Sequence, residues 1–276
     1  MNENYNMENL NKTPEQKKEN KSILFENHKI ELLSEEGAVE FGEEHIKKIE
    51  KVLNLFSENG LSPAKKFSEF ESINNPDAKH RGGFLGSAHI GYGKSKELSA
   101  IIFYNYGMNT NKPHRISSSE NFKGKGFVDN FSGTLAHELT HGGTTGEKFF
   151  DDYKFNREFI QEWREKFGWK YVRKNVKNEK TGRWEKAAPV EGWEKDKDGF
   201  WRNNDYIITR EEYTTMPEKC IGGKRGYAAS VSQQEDICDS VAAYLLNPSI
   251  LDKEKREFLE NKIKEYKQNY KSDNNS

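Results

Sequence analysis

Residues 127–141, FVDNFSGTLAHELTH, close on His137-Glu138-Leu139-Thr140-His141 and decide how the rest of the chain is read. Phe127, Phe131, Leu135 and Leu139 recur every four residues, the spacing of one buried stripe on an α-helix. The pattern predicts a helix over 127–141, stopped by Gly142-Gly143. On it His137 and His141 lie one turn apart on the same face, so both imidazoles reach a common divalent ion. Glu138 projects beside that ion, placed to take a proton from a water there, while Leu139 turns into the apolar stripe. Two surface histidines on an ordinary helix are the bland alternative, and the stripe burying the opposite side argues against it.

A catalytic zinc site uses a third protein ligand and leaves a fourth position for water. Glu235, in Gln234-Glu235-Asp236-Ile237-Cys238-Asp239, is one candidate. It opens a predicted helix over 233–246 with Ile237, Val241, Tyr244 and Leu245 on one face, stopped by Asn247-Pro248. Asp239 follows one turn later on the same face as Glu235. A carboxylate there accepts the second ring N–H of a ligand histidine and fixes its tautomer. The competing third ligand is Glu147, six residues after His141. Cys238 is a thiolate option, although a free cysteine on an apolar helix face is more often packed interior. His28, His45, His80, His89 and His114 lack ligand spacing; of these, His89 and His114 flank a predicted strand and are the two placed to line a cleft.

The two helices together resemble the zincin architecture of gluzincin-type zinc metallopeptidases. There the His-Glu-x-x-His helix is followed by one bearing a glutamate ligand and an acidic residue four positions on, matching His137, Glu138, His141, Glu235 and Asp239. Residues 235–244 also resemble the corresponding helix of anthrax-lethal-factor-like peptidase domains. The likeness is confined to these helices. It implies Zn2+ as cofactor, a protein or peptide substrate, and peptide-bond hydrolysis with Glu138 as general base. It further implies an α+β, zincin-like fold: a small mixed N-terminal sheet, an active-site helix and a helical C-terminal part.

Lethal-factor-like enzymes place an oxyanion-stabilising tyrosine about seven residues before the ligand glutamate. Position 228 is Ala here and Tyr227 lies one residue further away, so Tyr227 is the candidate, with Tyr206 and Tyr213 behind it. The group lays its substrate along an edge strand, for which residues 100–106 are the candidate. The separation between His141 and Glu235 is longer than the group's and implies an insertion. In metzincins the third ligand falls at the position of Glu147, but Thr144 stands where they need glycine. Two further readings share the motif: a zinc-stabilised binding protein without turnover, and a secreted effector or toxin protease acting on one protein.

Outside these helices, Ile23-Leu24-Phe25 and Ile30-Glu31-Leu32-Leu33 form an apolar pair compatible with a first strand. Ile46, Ile49, Val52, Leu53 and Phe56 predict an amphipathic helix over 43–58, ending at Asn59-Gly60. Residues 62–81 read as a polar loop. Glycine-punctuated residues 82–107, with Ala100-Ile101-Ile102-Phe103-Tyr104, read as paired strands. A helix is predicted over 151–167 and a final charged one over 252–266. Residues 168–206 read as a β-meander insertion, and the five tryptophans lie within or just before it; their expected role is to form its small core. The resulting division is a polar disordered tail at 1–21, a metallopeptidase domain at 22–266 carrying the insertion, and a disordered tail at 267–276.

The 276 residues hold 44 basic and 45 acidic side chains for a net charge of −1. That balance supplies no field to attract nucleic acid or an anionic membrane. Two cysteines, Cys220 and Cys238, make no disulfide framework. The polar N-terminus has no apolar leader, and no stretch approaches a membrane span. The expectation is therefore a cytoplasmic protein or one exported by a leaderless route, without nucleic-acid or membrane partners. Oligomeric state leaves no mark in the sequence.

Overall fold

β1 (Lys21–Phe25) and β2 (Ile30–Ser34) pair antiparallel, so the N-terminal apolar segments form two strands rather than one. A computed structural model of the chain describes residues 21–25, 30–61, 67–74, 86–90, 99–114, 116, 126–144, 150, 152–171, 175–177, 184–186, 194–195, 201–203, 206–207, 214–215 and 233–270. After β2 comes α1 (Glu43–Glu58), which buries Ile49, Val52, Leu53 and Phe56 and ends at Asn59. Gly60 then takes φ 74°, a left-handed turn that glycine adopts without strain. α1 is the crossover that parallel pairing of β2 with β3 (Phe67–Ile73) requires.

β3 corrects the reading of residues 62–81 as loop at 67–73, and it is the central strand; residues 62–66 and 75–81 lie outside the described residues. The five-stranded sheet has the order β1-β2-β3-β5-β4, with β4 at Gly86–Ile90 and β5 at Ser99–Tyr104. β2, β3 and β5 run parallel, and β1 and β4 are antiparallel edges. The pattern Phe-Ser-Glu-Phe-Glu-Ser-Ile hides β3 because a register shift between Phe67 and Glu69 breaks the alternation. Such a bulge resets which face each side chain takes. Phe67 and Phe70, three positions apart, are consequently both buried, at 4% and 0% exposure.

The strand proposed for substrate, residues 100–106, is not an edge: β5 lies between β3 and β4. Its Phe103 ring stacks on Phe131 of α2 (Asn130–Thr144), with centroids 4.9 Å apart, joining sheet to helix. Two details of α2 differ from expectation. Phe127 precedes the helix and is 58% exposed, so the buried stripe is Phe131, Leu135 and Leu139. The helix also continues through Gly142 and Gly143 to Thr144.

α3 (Tyr153–Phe167) is capped by Asp152, whose side chain accepts from the Phe155 N–H, and is stopped by Gly168 at φ 77°. α4 (Gln233–Leu246) packs on α2, and α5 (Lys253–Tyr270) follows a short 3-10 turn at Pro248–Ile250. α5 continues past Tyr266, and Lys267 donates to the Glu58 carbonyl at 2.8 Å, closing the end of α1. Residues 267–270 therefore belong to the fold and not to a tail. A mixed α+β architecture with five α-helices among the described residues results.

Between α3 and α4 lie short strands: β6 (Lys170–Tyr171), β7 (Asn175–Lys177), β8 (Trp184–Lys186), β9 (Glu194–Lys195), β10 (Trp201–Asn203), β11 (Tyr206–Ile207) and β12 (Thr214–Thr215). β7 pairs with β8, and β9, β10 and β11 pair in sequence order, while β6 pairs with β12, beyond residue 206. Trp163 and Trp169, at 0% and 2% exposure, belong to the main core rather than to a separate one. No helix among the described residues is long and apolar enough to cross a membrane.

Candidate metal centre

The approach to α2 explains how its histidines are aimed. Asp129 accepts from the Ser132 N–H at 2.9 Å, satisfying a donor that the first helical turn leaves open. Its other oxygen lies 3.0 Å from Lys48 Nζ, tying the start of α2 to α1. His45 on α1 adds a second tie: its ring sits 4.8 Å from that of Phe131, and its Nε2–H donates to the Met108 carbonyl at 2.9 Å. His114 does not line a cleft; it is fully buried against the backbone of α2. A Cβ placed on Gly133 would stand 2.4 Å from His114 Cγ, so only glycine lets ring and helix meet there.

Residues 130–140 of α2 are all buried, among them His137 and Glu138 at 2% and 7% exposure. Buried polar side chains need partners, and Thr140 finds one within the helix, donating to the Ala136 carbonyl at 2.8 Å. The carboxylate partners of the histidines come from α4. His137 Nδ1 lies 2.7 Å from Asp239 Oδ1. With Nδ1–H donating to that carboxylate, the lone pair of Nε2 points the other way. His137 Nε2 is 2.9 Å from His141 Nε2, and Glu235 Oε2 and Oε1 lie 3.0 Å from the two nitrogens respectively.

Two imidazole nitrogens and a carboxylate thus converge on one point. Three electron-pair donors at this separation repel unless a cation, either a proton or a metal ion, sits among them. Burial alone pushes the Glu235 carboxyl up, but the His137 charge and hydrogen bonds from both imidazoles hold it well below the usual carboxylate range. A tetrahedral zinc with bonds of about 2.0–2.1 Å separates its N and O ligands by about 3.3 Å. Contacts of 2.9–3.0 Å fall slightly inside that, so small side-chain adjustments would be needed to accommodate such an ion. The donor set suits zinc, with Asp239 orienting one imidazole from behind.

A second sulfur-bearing option exists. Cys238 is buried at 0% exposure, and its Sγ and one nitrogen from each histidine lie within 4.8 Å of one another. A zinc-bound thiolate sits about 3.6 Å from its nitrogen co-ligands. Glu235 already stands 3.0 Å from both nitrogens and is the better-placed candidate for a third ligand. The sequence left Cys238 as a thiolate option beside a packed-interior reading, and its burial agrees with the latter. The signal for its nearness was its place three residues after Glu235, on the same side of α4.

No family model, curated protein or solved structure matches this chain. Its site is therefore read from its own geometry. The structure brings together His137, His141, Glu235 and Asp239 from two helices, and Glu138 is buried next to His137 in the sequence of α2. Glu147, Tyr213 and Tyr227 lie outside the described residues, as do His28 and His80. Tyr206 falls in β11 and His89 in β4.

Proposed function

We propose that this chain is a zinc-dependent metallopeptidase of gluzincin type, with His137, His141 and Glu235 as ligands and Glu138 as general base. The observation that carries the reading is the convergence of both Nε2 atoms and the Glu235 carboxylate within 3.0 Å. Glu138 follows the first ligand on a buried helix, a position with no purpose in a purely structural site. The mixed sheet, with α2 stacked on it through Phe131 and followed by a ligand-bearing α4, supports a zincin-like fold.

Zinc in this donor set would supply Lewis acidity and make water a usable nucleophile near neutral pH. Glu138 takes the proton from the attacking water and hands it to the leaving amine. Asp239 holds the proton on His137 Nδ1, so that the imidazole keeps one orientation throughout. For substrate, the edge assignment moves to β4, which packs against α2 and pairs with one strand, β5, among the described residues. An extended peptide added along that edge gains backbone hydrogen bonds, with selectivity from side-chain pockets.

A zinc-stabilised binding protein without turnover is the second reading, favoured by the nearness of Cys238, which could close the coordination sphere. The Glu138→Gln variant separates the two. Incubated with a diverse peptide library, wild type should cleave in a chelator-sensitive manner and the variant should not, with zinc retained by both. Cleavage at undiminished rate by Glu138→Gln, or none by zinc-loaded wild type, removes the peptidase reading.

A further inference from the structure

α4 carries two polar pairs on neighbouring faces. Glu235 and Asp239 turn toward the histidines of α2. Asp236 and Ser240, each one residue later and about 100° further round the helix, turn toward α3 and α5. Asp236, Ser240 and Lys255 are all 0% exposed. Lys255 Nζ, from α5, donates to Asp236 Oδ1 at 2.5 Å and to Ser240 Oγ at 3.5 Å. Asp236 Oδ2 accepts from the indole N–H groups of Trp163 at 3.0 Å and Trp169 at 3.2 Å. The ammonium also lies 4.9 Å from the Trp163 ring centre and 5.3 Å from that of Phe167.

A buried ion pair is a poor source of stability, because desolvating both charges offsets their attraction and apolar replacements are often neutral. Its distinctive property is direction. Lys255 grips two side chains one turn apart on α4, and two indoles grip the same carboxylate from α3 and its C-terminal extension. The geometry points to Asp236 and Lys255 as positioning residues for the metal centre. Their pairing fixes the rotation of α4 about its axis, and so sets Glu235 and Asp239 against His137 and His141. A carboxylate stands roughly 6 Å from a helix axis, so a turn of about 10° displaces it by about 1 Å. That displacement is enough to open a contact of 3.0 Å. The inference rests on the metal-site reading above and adds a support that touches neither ion nor substrate.

The test uses the full chain and the metal alone. Zn2+ affinity is measured by competition with a chromophoric chelator, and the ligand field by the absorption spectrum of the Co2+-loaded protein. In Asp236→Asn/Lys255→Met both charges vanish while the volume and the acceptor for the indoles remain. This variant should melt close to wild type, yet bind Zn2+ about ten-fold or more weakly, with an altered Co2+ spectrum. A purely structural role predicts the reverse, as a core change such as Phe159→Leu should show: lower melting, unchanged affinity and spectrum. A folded double variant with wild-type affinity and spectrum overturns the inference. Should the double variant fail to fold, Trp169→Phe decides. It removes one N–H from Asp236, and an altered Co2+ spectrum supports the role whereas an unchanged one overturns it. Wild type that takes up no Zn2+ removes the metal-site reading itself, a failure seen before any variant is compared.

Discussion

His137 Nδ1 and Asp239 Oδ1 stand 2.7 Å apart although 102 residues separate them in the chain. The contact joins α2 to α4 and decides which nitrogen of His137 faces His141 and Glu235. Removing the carboxylate should therefore weaken metal binding without dismantling the ligand set. Asp239→Asn is expected to lower Zn2+ affinity about 10–100-fold, read by chelator competition, with the helical circular dichroism unchanged.

Loss of Glu138 should separate binding from turnover. Glu138→Gln is expected to keep wild-type zinc content and lose about 10²–10⁴-fold in peptide hydrolysis, the usual scale of general-base catalysis. Zinc stoichiometry and peptide cleavage, measured on the same preparation, check both halves.

Packing of His114 onto Gly133 is a separate, structural commitment. Gly133→Ala puts a methyl 2.4 Å from His114 Cγ, with both residues in a buried helix interface. Overpacking of this kind costs about 1–3 kcal/mol, to be read as a lower chemical-denaturation midpoint. Since the clash is with one side chain, combining it with His114→Ala should cost less than the sum of the two single changes.

Acid should act through Glu235 in the metal-free protein. Its carboxyl is held below the ordinary value of 4.5 when folded, so the unfolded chain takes up the proton first. The stabilisation is fully present above about pH 4.5 and is lost as pH falls through the lower folded value. Denaturation series at descending pH should show wild type losing more stability below that point than Glu235→Gln does.

Much of this was legible in the sequence, and the gaps have physical causes. Helical period exposes α1, and it places His137 with His141 and Glu235 with Asp239, because residues four apart share a face whatever lies around them. Strands gave weaker signals. β3 escaped because its register shift at Phe67 and Glu69 breaks the alternation that marks a strand. β5 looked like an edge because strand order depends on pairings between distant segments, and β4 precedes it in the chain yet lies outside it in the sheet. Phe127 fits the four-residue spacing, but Asp129 caps the helix after it and leaves the ring exposed. Asp236 and Lys255 carry no local pattern at all; their significance arises only when Trp163 and Trp169 close around them.

If His137 and His141 hold one metal ion between them, the zinc content of the purified chain is the decisive measurement. A single zinc ion is expected in the wild type, removed by His137→Ala and by His141→Ala alike. A wild type without zinc, or zinc retained undiminished after either histidine is replaced, would contradict that expectation.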